Sequence, residues 1–232
     1  MERETILDLC VRYERLYSAS VYDVLDEMQL GNQCLSLHIK PLHPDWVLAG
    51  AALTIKWTAE PRHPLELHQL RPDSANLFRL VDMFYPGCVL VVETGKTMNV
   101  GHWGELTGTM SQVRGCRGAV IDGGTRDSRH LRARGDYPVF ARYTSPIESV
   151  SRAAISDYEC PVWMSGSLTE GVLVRPGDFV FGDADGVLVI PIEIAEEVLV
   201  RAEDVASKEN LIRDEIRAGI HPFEVWQKYG RF

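Results

Sequence analysis

The sequence predicts an α/β fold: a βαβ core with a parallel sheet, then a small antiparallel layer, then a long C-terminal helix. Three observations predict it. Short apolar runs at 88–92, 118–121 and 139–141 alternate with helix-like segments at 105–114 and 126–134, the spacing of βαβ units. The run at 88–92 is continuously apolar, as a strand covered on both faces requires. From Ile192 to Ala218 one apolar stripe recurs at helical spacing, through Val198, Leu199, Ala202, Val205 and Ala206.

Each element has its own signal. Residues 5–29 read as helical, with a break near Ser18-Ala19-Ser20 and Ser20 as the N-cap of 21–28. Residues 49–57 read as a strand. Residues 73–84 suit an amphipathic helix with Leu77, Leu80 and Val81 on one face. Pro86-Gly87 turns the chain into the first apolar run, and Gly123-Gly124 turns it into the helix at 126–134. Arg175-Pro176-Gly177-Asp178 separates 172–174 from 179–181, which predicts a hairpin. Asp185-Gly186 marks a second turn before 187–190. Gly219 and Pro222 end the long helix.

The chain has 232 residues, which suits a single domain over 1–232; at this length roughly 70–75% of the unfolded surface is hidden on folding. Apolar residues make up 45% and charged residues 25%, which excludes a disordered chain. Lysine and arginine number 24 against 33 aspartate and glutamate, a net charge of −9. That balance argues against partnership with nucleic acid or an anionic membrane. No apolar run reaches the ~20 residues of a membrane span, and Met1-Glu2-Arg3-Glu4 opens no apolar signal core. The five cysteines are scattered, with no C-x-x-C pair. A cytoplasmic protein with reduced thiols is expected.

Some motifs carry no chemistry. Gly95-Lys96-Thr97 ends like a phosphate-binding loop, but the glycine that loop needs at position 90 is a leucine. Asp183 and Asp185 are spaced too closely for a calcium loop and suit a turn. Arg129, Arg132 and Arg134 read as a solvated helix face.

Two strand-to-helix junctions stand out: Gly101-His102-Trp103-Gly104-Glu105-Leu106-Thr107 and Asp122-Gly123-Gly124-Thr125-Arg126-Asp127. Parallel strands bind ligands at their carboxyl ends, so both junctions should open into one crevice. Each helix start offers free backbone N–H groups for an anion. Gly104 allows close approach to the backbone. Arg126 can grip a carboxylate or enolate with two parallel hydrogen bonds. Glu105 and Asp127 offer hard oxygen ligands suited to Mg²⁺ or Mn²⁺. The plainer reading is that acidic residues favour first helical turns, and that Asp127 pairs with a neighbouring arginine.

An acidic residue, twenty residues, then Arg-Asp occurs as Glu105 followed by Arg126-Asp127. With Gly104-Glu105-Leu106 before it, Gly118-Ala119-Val120-Ile121-Asp122-Gly123-Gly124 within it and Pro138-Val139-Phe140-Ala141-Arg142 after it, the chain resembles the family of class II 4-hydroxy-4-methyl-2-oxoglutarate aldolases and regulators of ribonuclease E activity. Ser18-Ala19-Ser20-Val21-Tyr22-Asp23-Val24-Leu25-Asp26 and Gly182-Asp183-Ala184-Asp185-Gly186-Val187 also resemble it. The likeness covers roughly residues 15–205. It implies a β/β/α swivelling-type fold, a homotrimer or hexamer, and divalent-metal-dependent cleavage of a 4-hydroxy-2-keto acid to pyruvate through a stabilised enolate. By position it implies that Arg126 binds the pyruvyl group, that Asp127 holds Mg²⁺ or Mn²⁺, that Glu105 reaches the metal through water, and that Gly104, Glu105, Leu106 and Thr107 contact substrate through backbone amides. Two positions depart from the family pattern: Glu105 stands where many members have aspartate, and His130 where many have an acidic residue.

Aldol cleavage and oxaloacetate decarboxylation pass through the same enolate, so the same residues serve either activity. His102 and His130 are candidate bases beside a metal-linked water. Arg142 and Tyr143 are candidate liners for a sugar-acid substrate. The rival from another class is a non-catalytic regulator that binds a ribonuclease. The aromatic tail Phe223, Trp226, Tyr229 and Phe232 follows Pro222, and the segment 192–232 is expected at a subunit interface.

Overall fold

The computed structural model describes residues 3–60 and 73–230. Helices α1 (Arg3–Tyr13) and α2 (Ser18–Glu27) precede strands β1 (Lys40–Pro41) and β2 (Leu48–Ala59). Helix α3 (Asp73–Met83) leads to β3 (Cys88–Glu93) and β4 (Gly101–Trp103). Then α4 (Glu105–Val113), β5 (Ala119–Thr125), α5 (Ser128–Arg134) and β6 (Val139–Thr144) alternate as expected. Strands β7 (Ala153–Tyr158), β8 (Val162–Ser165), β9 (Gly171–Val174), β10 (Phe179–Gly182) and β11 (Val187–Ile190) follow. Helices α6 (Ala195–Arg217) and α7 (Pro222–Tyr229) close the chain. No helix among the described residues is long and apolar enough to cross a membrane, and the five cysteines are free.

The main sheet runs β1-β6-β5-β3-β2-β10-β11, with β4 added beside β5 and β7 beside β2. Strands β2, β3, β5 and β6 pair in parallel, and β10 and β11 extend the sheet antiparallel. Alternate residues of the parallel strands face opposite ways. Leu53, Leu90, Val92 and Ile121 pack with Leu80 of α3 and Leu131 of α5. Ala52, Val89, Val91 and Val120 pack with Val162, Met164, Val172 and Val174 of the β8–β9 pair. A third core joins α1, α2 and α6 to Phe179 and Phe181. Coverage on both faces is why the first eight residues of β2 are all buried.

Three local expectations change. The break between the first helices lies at 14–17, before Ser18. The Ser18 amide and hydroxyl both donate to the Asp183 carboxylate, at 2.7 Å each, so a residue 165 positions away caps α2. Ser20 is no cap: it lies inside the first turn, its hydroxyl on the Tyr17 carbonyl at 2.9 Å. The turn at 175–178 forms, with the Asp178 amide on the Arg175 carbonyl at 3.1 Å. Its flanks nevertheless part company, because β9 pairs with β8 while β10 pairs with β2 and β11. The fully buried Phe179 and Phe181, packed with Tyr13, hold β10 in the main sheet. Lastly, Gly123, Gly124 and Thr125 belong to β5 itself, and α5 starts only at Ser128. Leu77 and Phe232 of the sequence reading lie outside the side chains described.

Candidate active site

Strand β4 is three residues long and pairs with the end of β5, Gly101 opposite Gly124 and Trp103 opposite Thr125. That pairing sets the two junctions side by side. Glycine at 101 and 104 makes room for Arg126. A Cβ on Gly101 would lie 2.8 Å from the Arg126 Cβ, and one on Gly104 would lie 3.1 Å from its Cγ. The arginine stem therefore lies across two bare α-carbons, and its backbone amide is anchored to the Trp103 carbonyl at 2.8 Å. Arg126 precedes α5 and is not part of it. Asp127, the N-cap of α5, takes a left-handed backbone with φ of 58°, a conformation aspartate tolerates better than most residues. Its Oδ2 accepts the Glu105 amide at 3.2 Å, and its Oδ1 faces the Arg126 Nε at 3.5 Å.

Gly101, His102, Trp103, Gly104, Leu106, Thr107, Arg126 and Asp127 share one cavity of about 600 Å³. The two junctions thus meet as the topology requires. The Thr107 hydroxyl accepts the Gly104 amide at 3.1 Å and donates to the Gly104 carbonyl at 2.9 Å, which fixes the first turn of α4. The Gly104 and Glu105 amides, expected to contact substrate, are thus taken by Thr107 and Asp127; the helix dipole and the amides of Leu106 and Thr107 remain to favour an anion.

Glu105 is placed differently from its expected role. Its carboxylate accepts the Thr109 hydroxyl at 2.7 Å and pairs with Arg134 at 3.3 Å, so it turns along the outside of α4 toward α5. Only its backbone amide meets Asp127. Arg134 is accordingly no free surface charge, whereas Arg129, Arg132 and His130 are exposed. Among the described residues no cluster of three histidine, cysteine, aspartate or glutamate side chains could cage a metal. Asp127 alone still fits Mg²⁺ or Mn²⁺, because Mg²⁺ is held by one or two carboxylates and keeps several waters.

His102 is 5% exposed and lines the cavity, with neither ring nitrogen in a hydrogen bond among the described residues. Its ring stands edge-on to Trp57, the centroids 5.4 Å apart. Burial pushes its pKa down to about 4, against a smaller upward pull from the Gly124 backbone. Arg142 belongs elsewhere: it pairs with Asp122 in a separate cavity of about 650 Å³. The Tyr143 ring packs against Gly124.

Several lining residues carry no sequence signal. Glu148 reaches Arg126 at 3.5 Å from beyond β6. Trp57 and Ile155 arrive together because β2 and β7 pair antiparallel at that point. Phe78 comes from α3 and Met110 from α4.

Comparison with known proteins finds relatives of this chain. The profile of a family described as RraA-like, Aldolase/RraA, matches residues 18–189. The chain is 26% identical over 219 residues to Protein DlpA of Legionella pneumophila, covering 94% of this chain but only 33% of that protein. It is 28% identical over 216 residues to the "Putative 4-hydroxy-4-methyl-2-oxoglutarate aldolase" of Halalkalibacterium halodurans, covering 91% of this chain and 92% of that one. Among solved structures it resembles RraAS2 of Streptomyces coelicolor, described as an unusual member of the RNase ES inhibitor RraA protein family. There the TM-score is 0.75 at 27% identity, over 90% of this chain and 98% of that chain.

Proposed function

The chain belongs to the Aldolase/RraA family, and from that premise we propose that it is a divalent-metal-dependent lyase cleaving a 4-hydroxy-2-keto acid to pyruvate. The observation that carries this reading is the meeting of Arg126, Asp127 and the first turn of α4 at one cavity. A relative's name as an aldolase supports the same class. Mg²⁺ or Mn²⁺ held by Asp127 would supply Lewis-acid polarisation of the keto acid.

The chain's own groups do the rest. The Arg126 fork and the Leu106 and Thr107 amides of α4 hold the substrate carboxylate. The C3–C4 bond then breaks. The C4 hydroxyl loses its proton to a solvent base, C4 becomes a carbonyl, and the bond's electron pair passes into the pyruvyl group as an enolate. Arg126 faces that developing charge. Protonation at C3 yields pyruvate. His102, buried and neutral, can hold a hydrogen bond at the cavity wall but is a poor proton acceptor near pH 7. Oxaloacetate would lose carbon dioxide through the same enolate.

The test is pyruvate release from 4-hydroxy-2-keto acids and from oxaloacetate, with and without Mg²⁺ or Mn²⁺. No pyruvate from any of them would overturn the reading. It would then favour the second one, a ribonuclease-binding regulator, which the Streptomyces relative's description supports.

A further inference from the structure

We propose that the cavity selects 2-keto acids whose C4 substituent is apolar, of aryl or branched-alkyl character, over those carrying a second carboxylate. For its chemistry this rests on the aldolase reading; its selectivity comes from the cavity walls. The charged groups that suit a keto-acid head, Arg126 and Asp127, meet at the first turn of α4. Beside a few polar residues, the lining is largely apolar, with Trp57 of β2, Phe78 of α3, Leu106 and Met110 of α4, and Ile155 of β7. Four separate elements thus present apolar side chains to one space. A keto-acid head held at Arg126 leaves its C4 substituent to meet that wall, and covering apolar surface there favours binding.

Charge points the same way. Among the described lining residues Arg126 is the one arginine or lysine. It already lies between Asp127 and Glu148, each at 3.5 Å. The substrate's first carboxylate takes its remaining donors. A second carboxylate on C4 would find no second arginine or lysine among the described lining residues, and Glu148 in the same lining would repel it. His102 adds no compensating charge, since burial keeps it neutral at pH 7. Phe78 lines the cavity and is 62% exposed, and the cavity volume of about 600 Å³ exceeds that of a phenyl-bearing keto acid.

The test uses two non-cleavable ligands that differ only at C4: 2-oxo-4-phenylbutanoate and 2-oxoglutarate. Neither carries the hydroxyl that cleavage needs. The full chain in Mg²⁺ buffer is titrated with each by calorimetry. The phenyl compound should bind at least about tenfold more tightly, the scale of discrimination an apolar pocket achieves. Equal affinities, tighter binding of 2-oxoglutarate, or binding of neither would overturn the proposal. Phe78→Arg, at an exposed position that the fold does not need, should reduce the preference at least threefold by adding a cation to the wall. An unchanged preference would overturn the assignment of that wall to C4. Turnover is read separately, as pyruvate and benzaldehyde from 4-hydroxy-2-oxo-4-phenylbutanoate. If the phenyl ligand binds tightly and that acid yields no pyruvate, the aldolase reading fails and the binding preference stands.

Discussion

The α-carbon of Gly104 lies against the carboxylate of Asp127, so close that a Cβ would stand 2.7 Å from Oδ2. The backbone at Gly104 is extended, with φ of −135°, so space and not conformational freedom demands glycine here. Gly104→Ala should swing the Asp127 carboxylate away and break its bond to the Glu105 amide. The expected loss is about 1 kcal/mol of stability and at least tenfold in kcat/KM for pyruvate release. Melting and steady-state kinetics on the same preparation check both.

Asp127→Asn isolates the charge. Asparagine tolerates the left-handed backbone at this position and keeps an oxygen for the Glu105 amide. The fold should therefore hold, while pyruvate formation falls on the order of a hundredfold. Chelation of the wild type should abolish activity, and Mg²⁺ or Mn²⁺ should restore it. Full activity after exhaustive chelation would remove the metal from the scheme.

Arg126→Lys keeps the charge and loses the fork. Roughly 2–4 kcal/mol of transition-state stabilisation should go with it. Arg129→Ala, at an exposed position on α5, should change the rate less than about threefold. The comparison is kcat/KM for both variants, with circular dichroism to confirm the fold. A wild-type rate in Arg126→Lys would reduce this arginine to an ion-pair partner.

His102 makes stability depend on acid. Its folded pKa, about 4, lies below the ordinary 6.5, so the unfolded chain binds more protons between those values. Stability is then complete above about pH 6.5 and falls as pH drops toward 4, by up to roughly 3 kcal/mol. His102→Gln should flatten that fall. Denaturant midpoints from pH 7 to pH 4 for both proteins decide it, and parallel curves would show that the imidazole does not contribute.

Phe223 and Trp226 stack at 6.1 Å and stay 57% and 46% exposed. Helix α7 folds back on α6 through the buried Val225 and through Glu215, which binds both Lys228 and Tyr229. Of the three described aromatics of the tail, Tyr229 is thus bonded within the chain, while Phe223 and Trp226 face outward. Light scattering should give three or six times the 26.1 kDa chain mass. Phe223→Ser with Trp226→Ser should lower that mass. A 26.1 kDa particle for the wild type would refute the oligomer.

The sequence by itself determined the βαβ core. Apolar runs such as 88–92, short, β-branched and preceded by Pro86-Gly87, suit strands covered on both faces, and their spacing leaves room for one helix between each pair. It also determined that the Gly104 and Arg126 junctions share a crevice, because parallel strands end on the same side. Tertiary structure alone decided what depends on partners far apart in the chain. The α2 cap is a carboxylate 165 residues away, which displaced Ser20 from that role. The turn at 175–178 was legible, yet its two flanks joined different sheets because β10 found better burial beside β2. Glu105 and Asp127 look equivalent as carboxylates at helix starts. The side chain of Glu105 follows its own helix to Thr109 and Arg134, whereas the left-handed backbone at Asp127 turns that carboxylate to Gly104. Glu148, Trp57, Phe78 and Ile155 had no local pattern to announce them. They reach the cavity by strand pairing and helix packing, which hydrophobic period alone does not specify.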